Sequence, residues 1–394
     1  MRNGKPAVLG NPPVFRAPVP FVRPLLPDYA ELSDGVQGIL ASGMVTKGSH
    51  LAAFEQAMAE HLGVKHAVAV SSCTTGLMLT YRGLGLRGDV VAPSFTFMAT
   101  VSALVWAGLR PVFADVSADT CNLDPRAAED AVTKTTTAIV AVHNFGNPAD
   151  LDALEAVAYR RGLPLILDAA HGLGSLYHGR PVGAQGIAQV YSLSPTKLLI
   201  AGEGGIVATN DDKLADNIRI GREYGNSGNY DSRFAGINAR MPEFNALLGL
   251  ASLQGLEAAA RRRNEIAALY RDELGRLPGI GFQEVRADCR SSFKDFSVTI
   301  NPDAFGMSRD ELARALRAEN IDTRKYYDPP VHRQTAYRQW APAAGKLPNT
   351  DRLADRSLSI PIWSHMDDET AHGVCRAIAR VHAFARDIVT ALAS

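Results

Sequence analysis

Only four cysteines occur in 394 residues, at positions 73, 121, 289 and 375, and none stands in a CxxC or Cys/His pair. That spacing argues against structural zinc and a disulfide framework, and predicts reduced thiols in a cytoplasmic protein. Net charge is missing too, since 41 Lys plus Arg balance 41 Asp plus Glu. With no positive excess there is no field to gather nucleic acid or an anionic membrane, so local groups must hold any anionic ligand. No apolar run approaches the roughly 20 residues that cross a bilayer. Residues 1–20 are broken by proline and charge, unlike a signal sequence. The expectation is a soluble chain with no metal and no membrane or nucleic-acid partner. A dinucleotide fold is also disfavoured: Gly172 and Gly174 follow an apolar stretch, but Ser175-Leu176-Tyr177 supplies no third glycine for GxGxxG.

Short apolar runs alternate with helical patterns along most of the chain. His66–Val70, Pro111–Phe113, Thr137–His143 and Leu163–Asp168 read as strands, and a further short strand follows Gly88-Asp89. Pro125–Val132 and Asp150–Tyr159 read as helices between them, and Leu51, Phe54, Met58 and Leu62 share one helical face. Such alternation predicts an α/β fold: a large domain whose mostly parallel sheet is flanked by helices, plus a smaller C-terminal α/β domain. The expected boundaries are an extended N-terminal arm over 1–30, a large domain over 31–278 and a small domain over 279–394. Met241–Leu274 and Asp367–Ala393 each read as one long helix. In the small domain Phe296, Val298 and Ile300 alternate with polar residues as a half-buried strand does, and Ser308–Glu311 is a capping box.

Chemistry concentrates around Val190–Val207, where Lys197 stands among apolar residues ahead of Gly202-Glu203-Gly204-Gly205. Burial lowers an amine's pKa, which suits a nucleophile that must be neutral to form a Schiff base. Upstream, the strand Leu163–Asp168 delivers Asp168 at its carboxyl end, where open α/β sheets place ligand chemistry. A Schiff-base lysine with a strand-end aspartate points to pyridoxal 5'-phosphate, whose ring nitrogen stays protonated against a carboxylate. The turn after His66–Val70 offers Ser72, Cys73 and Thr74 at a helix start, an arrangement that binds phosphate through free N–H groups. Phe97, at the next helix start, is the aromatic that could cover the cofactor's ring.

Taken together these residues resemble the DegT/DnrJ/EryC1/StrS family of sugar aminotransferases, fold-type I pyridoxal-phosphate enzymes, over about residues 20–390. The lysine block carries the resemblance: Ser192 five residues before Lys197, and Gly-Glu-Gly-Gly after it. The resemblance implies that Lys197 holds the cofactor covalently, Ser192 binds its phosphate, Asp168 pairs with its ring nitrogen and His171 lies near its phenolic oxygen. It also implies that Cys73 and Thr74 match the phosphate turn, that Phe97 stacks on the ring, and that Asn238 is donated to a neighbouring subunit's site in a homodimer. Arg240 and His332 become candidate substrate-binding residues. Two departures stand out, Cys73 for a glycine and Ala239 for a tyrosine, the second expected to open space near the sugar pocket. The implied reaction moves an amino group from an amino acid, L-glutamate by resemblance, to a keto group of a nucleotide-linked deoxysugar, with TDP as carrier and 4-keto favoured over 3-keto. A cyclitol acceptor, a keto-sugar dehydratase and a non-catalytic cofactor-binding regulator are the alternatives. Dehydration is disfavoured because Lys197 is kept where the dehydrating relatives carry histidine.

Overall fold

The structure, a computed structural model, describes residues 4–393. Its strands in chain order are β1 (His66–Val70), β2 (Asp89–Pro93), β3 (Arg110–Ala114), β4 (Thr136–Val142) and β5 (Leu165–Asp168). Two short pieces follow, β6 (Leu176–Tyr177) and β7 (Arg180–Pro181), then β8 (Ala188–Ser192) and β9 (Gly205–Thr209). The C-terminal part adds β10 (Ile280–Phe282), β11 (Cys289–Arg290), β12 (Phe296–Ile300) and β13 (Ser357–Ile360).

Seven strands form the main sheet in the order β1-β9-β8-β5-β4-β2-β3. The pairs from β8 through β5, β4 and β2 to β3 are parallel, and β9 alone runs against its neighbours. Alternate residues feed two apolar layers. Ala67, Ala69, Val91, Ile139, Leu167 and Ile206 pack on one side, and Val68, Val70, Val90, Val140, Ile166 and Val207 on the other. Burial on both faces is why these strands read as continuous apolar runs rather than alternating ones. Leu51, Phe54, Met58 and Leu62 are all buried on the helix Ser49–Leu62, against the first layer. Because β9 reverses direction, its first residue Gly205 pairs with the last residues of both β1 and β8, Val70 and Ser192. The loops after β1, β2, β5 and β8 therefore converge on one edge of the sheet.

A second sheet, β10-β12-β13, is antiparallel, with β12 inserting Phe296, Val298 and Ile300 into its core as their alternation predicts. The Ser308 capping box opens the helix Arg309–Ala318. Two expectations need correction. The Met241–Leu274 stretch is two helices, Glu243–Gln254 and Leu256–Leu274, because Gly255, a poor helix former, interrupts it and Pro242 delays its start. Asp367–Ala393 likewise breaks at Phe384, which packs with Ala385 onto the second core. The proline-rich arm docks on the C-terminal part: the Ala7 and Val14 amides donate to the Glu319 carboxylate at 2.9 and 2.8 Å, and Val19 bridges to Ile321. Glu319 is fully buried and also takes the Arg380 guanidinium at 2.6 Å, so the arm is strapped to the C-terminal part by one neutralised carboxylate. No helix among the described residues is long and apolar enough to cross a membrane.

Candidate active site

A cavity of about 390 Å³ lies on the converging edge of the main sheet, a size within the range of small-molecule sites. Lys197 enters it from the loop between β8 and β9. That loop is closed at Leu193, whose N–H donates to Gly204 O at 3.0 Å and whose carbonyl accepts from Ala201 at 2.9 Å. Leu198, Leu199, Ile200 and Ala201 are buried, and side chains of the helix Glu243–Gln254 satisfy the loop's carbonyls: Asn245 those of Ala201 and Glu203, Ser252 that of Ile200. At Gly204 a Cβ would sit 2.5 Å from Met241 Cε, so any side chain there would have to push the fully buried Met241 aside. The apolar neighbours that marked Lys197 in the sequence thus fix its backbone. Burial first, then the Lys294 charge, lowers its amine to about 8, against the opposing pull of Asp295, Cys73 and Asp168.

Asp168 ends β5 and is 4% exposed. Its Oδ2 accepts from Thr100 Oγ1 at 2.7 Å, and its Oδ1 from the Ala170 amide at 3.1 Å and the Cys73 thiol at 3.8 Å. Thr100 Oγ1 in turn lies 2.9 Å from Thr96 Oγ1. Burial raises the Asp168 pKa, while Thr100, Ala170, Lys197 and Cys73 oppose it in that order. Burial also pushes the Cys73 thiol well up, so it meets the carboxylate as a neutral donor.

The helix after β1 begins at Cys73, with Ser72 as its N-cap and a Ser72–Thr75 capping box. First-turn amides have no partner within their own helix, so those of Cys73 and Thr74 are open to an anion. Gly205 sits directly beneath: a Cβ there would meet Cys73 N and Ser72 C at 2.7 Å, so the glycine lets the helix start approach β9. Ser192, at the end of β8, lines the same cavity. Phe97 is 50% exposed into it, whereas the neighbouring Phe95 is fully buried against Phe145 and Tyr327. His171 also lines the cavity; its Nδ1 is buried without a hydrogen-bond partner, and burial drives its pKa well down, so the ring is neutral.

Three candidates lie elsewhere in this chain. Asn238 is exposed and outside the cavity, its backbone bridged to Glu223. Arg240 is tied to Glu223 at 3.0 Å and stacks over Tyr224. His332 is neither an exposed loop residue nor part of the cavity wall: its Nδ1 lies 2.7 Å from Ser94 Oγ and its Nε2 3.3 Å from Asp351. The Ala239 expectation is also corrected, because that side chain is fully buried in the sheet's second apolar layer and faces no pocket. Missed by the sequence reading were Thr96, Thr100, Lys294, Asp295, Tyr326 and Tyr327, all of which line the cavity or hold Asp168. The i, i+4 spacing of Thr96 and Thr100 at a helix start was the one available signal.

Pyridoxal phosphate fits these residues. The burial-raised carboxylate of Asp168 calls for a cation that a protonated ring nitrogen would supply, and the orphaned His171 Nδ1 lies in the wall of the same cavity. Strand-end aspartate, loop lysine and helix-start phosphate turn on a mostly parallel sheet define a fold-type I pyridoxal-phosphate enzyme. The DegT/DnrJ/EryC1/StrS aminotransferase family matches residues 28–379, and the chain belongs to that family. It is 37% identical over 352 residues to the dTDP-3-amino-3,4,6-trideoxy-alpha-D-glucose transaminase of Streptomyces venezuelae, covering 89% of this chain and 91% of that one. It is 34% identical over 387 residues to the spore coat polysaccharide biosynthesis protein SpsC of Bacillus subtilis (strain 168), with 94% and 97% covered. The crystal structure of DesI in the presence of its TDP-sugar product superposes with a TM-score of 0.91 at 38% identity, covering 98% of this chain and 99% of that one. The chain is thus an aminotransferase whose cofactor is pyridoxal 5'-phosphate.

Thr100→Val should expose the cost of burying Asp168. Losing the strongest donor to the carboxylate raises its pKa further, so protonation, and with it release of the cofactor, begins at higher pH. A hydrogen bond to a charged group contributes about 1.5–3 kcal/mol, or about one to two pH units. The midpoint of cofactor release on acidification, followed by absorbance after gel filtration, should rise by that amount. An unmoved midpoint would show that Thr100 does not support the charge.

Proposed function

We propose that the enzyme transfers an amino group from an amino acid, L-glutamate in the first instance, to a keto group of a nucleotide-linked deoxysugar carried on TDP. The observation that carries the reading is Lys197 with a lowered amine pKa, in one cavity with Asp168 and the phosphate turn. When bound, pyridoxal phosphate supplies an electron sink for the pair left on the donor's α-carbon. Asp168 holds a negative charge against the ring nitrogen in a site dry enough to make it count. With an amine near 8, Lys197 Nζ can take a proton from the substrate carbon and return it at neutral pH. His171, uncharged, accepts or donates at the cofactor's phenolic oxygen without adding a competing positive charge. Phe97 covers the ring, and Ser72, Thr74 and Ser192 hold the phosphate.

The relatives support a sugar nucleotide acceptor: one is a transaminase named for a dTDP-linked 3-amino sugar, and another was crystallised with its TDP-sugar product. We keep a 4-keto acceptor as the first arm of the test and a 3-keto acceptor as the second. Incubating the enzyme with glutamate and TDP-linked 4-keto and 3-keto deoxysugars, with mass detection, should yield an amino sugar and 2-oxoglutarate. No aminated product from either class would overturn the acceptor assignment.

The working unit in this reading is a homodimer with shared sites, in the cytoplasm, and the small domain over 279–394 closes beside each site. Asn238 supports sharing because it is exposed and does not line the cavity of its own chain. Segments 44–47, 223–224 and 237–244 are joined by hydrogen bonds and an ion pair, and they expose Met44, Val45, Tyr224 and Phe244. Apolar exposure of that kind marks an interface. Mixing equal amounts of Lys197→Ala and Asn238→Ala chains, refolded together, tests it. One site of each mixed dimer receives both lesions and the other none, so random pairing should restore up to about a quarter of wild-type activity. A mixture no more active than the mean of its parents, with exchange verified by mass, would mean that Asn238 serves its own subunit.

A further inference from the structure

The segment Ser291–Asp295 brings a second lysine to the cavity. Lys294 is 5% exposed and Asp295 2%, and Lys294 Nζ lies 2.9 and 3.1 Å from the two Asp295 carboxylate oxygens. The same ammonium sits 5.8 Å from the centre of the Tyr326 ring. It carries three N–H donors, so one carboxylate does not exhaust it. The backbone beneath it is held from two directions. The buried Arg263 donates to the carbonyls of Phe293 and Lys294 at 3.0 and 2.8 Å and is itself oriented by Ser364 at 2.9 Å. On the other side Ser292 Oγ donates to His171 O at 2.7 Å, and the Ser292 amide to Gly146 O. Phe293 between them is forced to φ 43°, a conformation that a bulky residue adopts only when its surroundings impose it.

Such fixing suits a group that must meet a ligand in one geometry. Every amino-acid donor bears a carboxylate on the carbon that carries the amine, and a carboxylate entering a dry cavity needs a cation. Among the described residues, the lysines in the cavity wall are Lys197 and Lys294, and no arginine lines it. Lys197 is engaged with the cofactor and the migrating proton. Arg240 is committed to Glu223 and Tyr224. We propose that Lys294 receives the α-carboxylate of the amino-acid donor. Asp295 keeps the ammonium aimed between turnovers, and by sharing its charge weakens the hold on the 2-oxo acid product so that it can leave. The position has a second effect, because the Lys294 charge adds to burial in lowering the Lys197 amine and the His171 ring.

The assignment rests on the amino-acid donor reading, and the first half-reaction tests it without any sugar acceptor. Holoenzyme is mixed with L-glutamate and the cofactor's absorbance change is followed against glutamate concentration. Lys294→Met should raise the half-saturating concentration about 10- to 100-fold, the loss expected for one charged hydrogen bond, and Lys294→Arg should recover much of it. n-Butylamine, which has no carboxylate, should discriminate far less between wild type and Lys294→Met. Glutarate, an unreactive dicarboxylate, should raise the melting temperature of wild-type holoenzyme and not that of Lys294→Met. An unchanged glutamate dependence, an equal loss with n-butylamine, or a loss confined to the keto-sugar half-reaction would overturn the assignment. So would the same loss in Arg240→Met with none in Lys294→Met. Wild-type enzyme inert toward all amino acids would overturn the donor reading itself, before any variant is compared.

Discussion

A carboxylate at the end of a buried strand is the constraint around which the site is arranged. Asp168 is nearly inaccessible, and an unpaired charge there is costly enough that the group would protonate instead. The fold answers with three donors, from Thr100, the Ala170 amide and the Cys73 thiol, each brought by a different element of the large sheet and its helices. They offset part of the cost and leave the remainder to a cationic ring. A site poised in this way prefers a protonated ring nitrogen, the state in which the ring withdraws electrons best. Cys73 joins the set of donors through its thiol, which lies 3.8 Å from Asp168 Oδ1, while its backbone opens the helix.

Charge is used sparingly in the rest of the cavity. Lys197, Lys294 and His171 crowd one region: burial first and then the Lys294 charge lower the Lys197 amine, with Asp295 opposing, and burial first and then the two lysine charges lower the His171 ring. The outcome is one amine near 8 and one neutral imidazole, with Lys294 paired to Asp295. A general base must exchange protons near neutral pH, and burial, with the Lys294 charge adding to it, brings an otherwise strongly basic lysine into that range. The strapped segment Ser291–Asp295 links the two sheets at this point, because Ser292 bonds to His171 and Gly146 while Arg263 fixes the next two carbonyls. Packing of the C-terminal sheet and electrostatics of the cofactor site are therefore coupled through five residues.

The large sheet was legible in the sequence because strands covered on both faces are uninterrupted apolar runs, and Asp168 and the Ser72 turn could be placed because one ends such a run and the other comes just after one, whereas Ser192 came with the family resemblance. Lys197 was legible for a related reason: apolar neighbours on a loop that must tuck under the helix Glu243–Gln254 leave the lysine as the one polar residue that requires a purpose. Lys294 and Asp295 carried no such mark, since they reach the cavity only by the docking of β12's leading loop, a long-range event that no local pattern records. Gly255 and Phe384 broke helices that periodicity had run together, because periodicity measures a face and not a stop. His332 was named only through the family resemblance, and its contact with Ser94 from the loop after β2 is a long-range one that no local pattern marks. Ala239 was misplaced because its sequence neighbours belong to the candidate site, while its own side chain turns into the apolar layer beside β1.

The central claim is that Lys197, among the chain's lysines, forms the bond to the cofactor. Reducing the holoenzyme with borohydride makes that bond permanent, and peptide mapping by mass spectrometry then locates it. The account predicts a pyridoxyl group on the peptide containing Lys197 and none on the peptide containing Lys294, the other lysine in the cavity wall. A label on Lys294, or on a surface lysine with Lys197 unmodified, would contradict it.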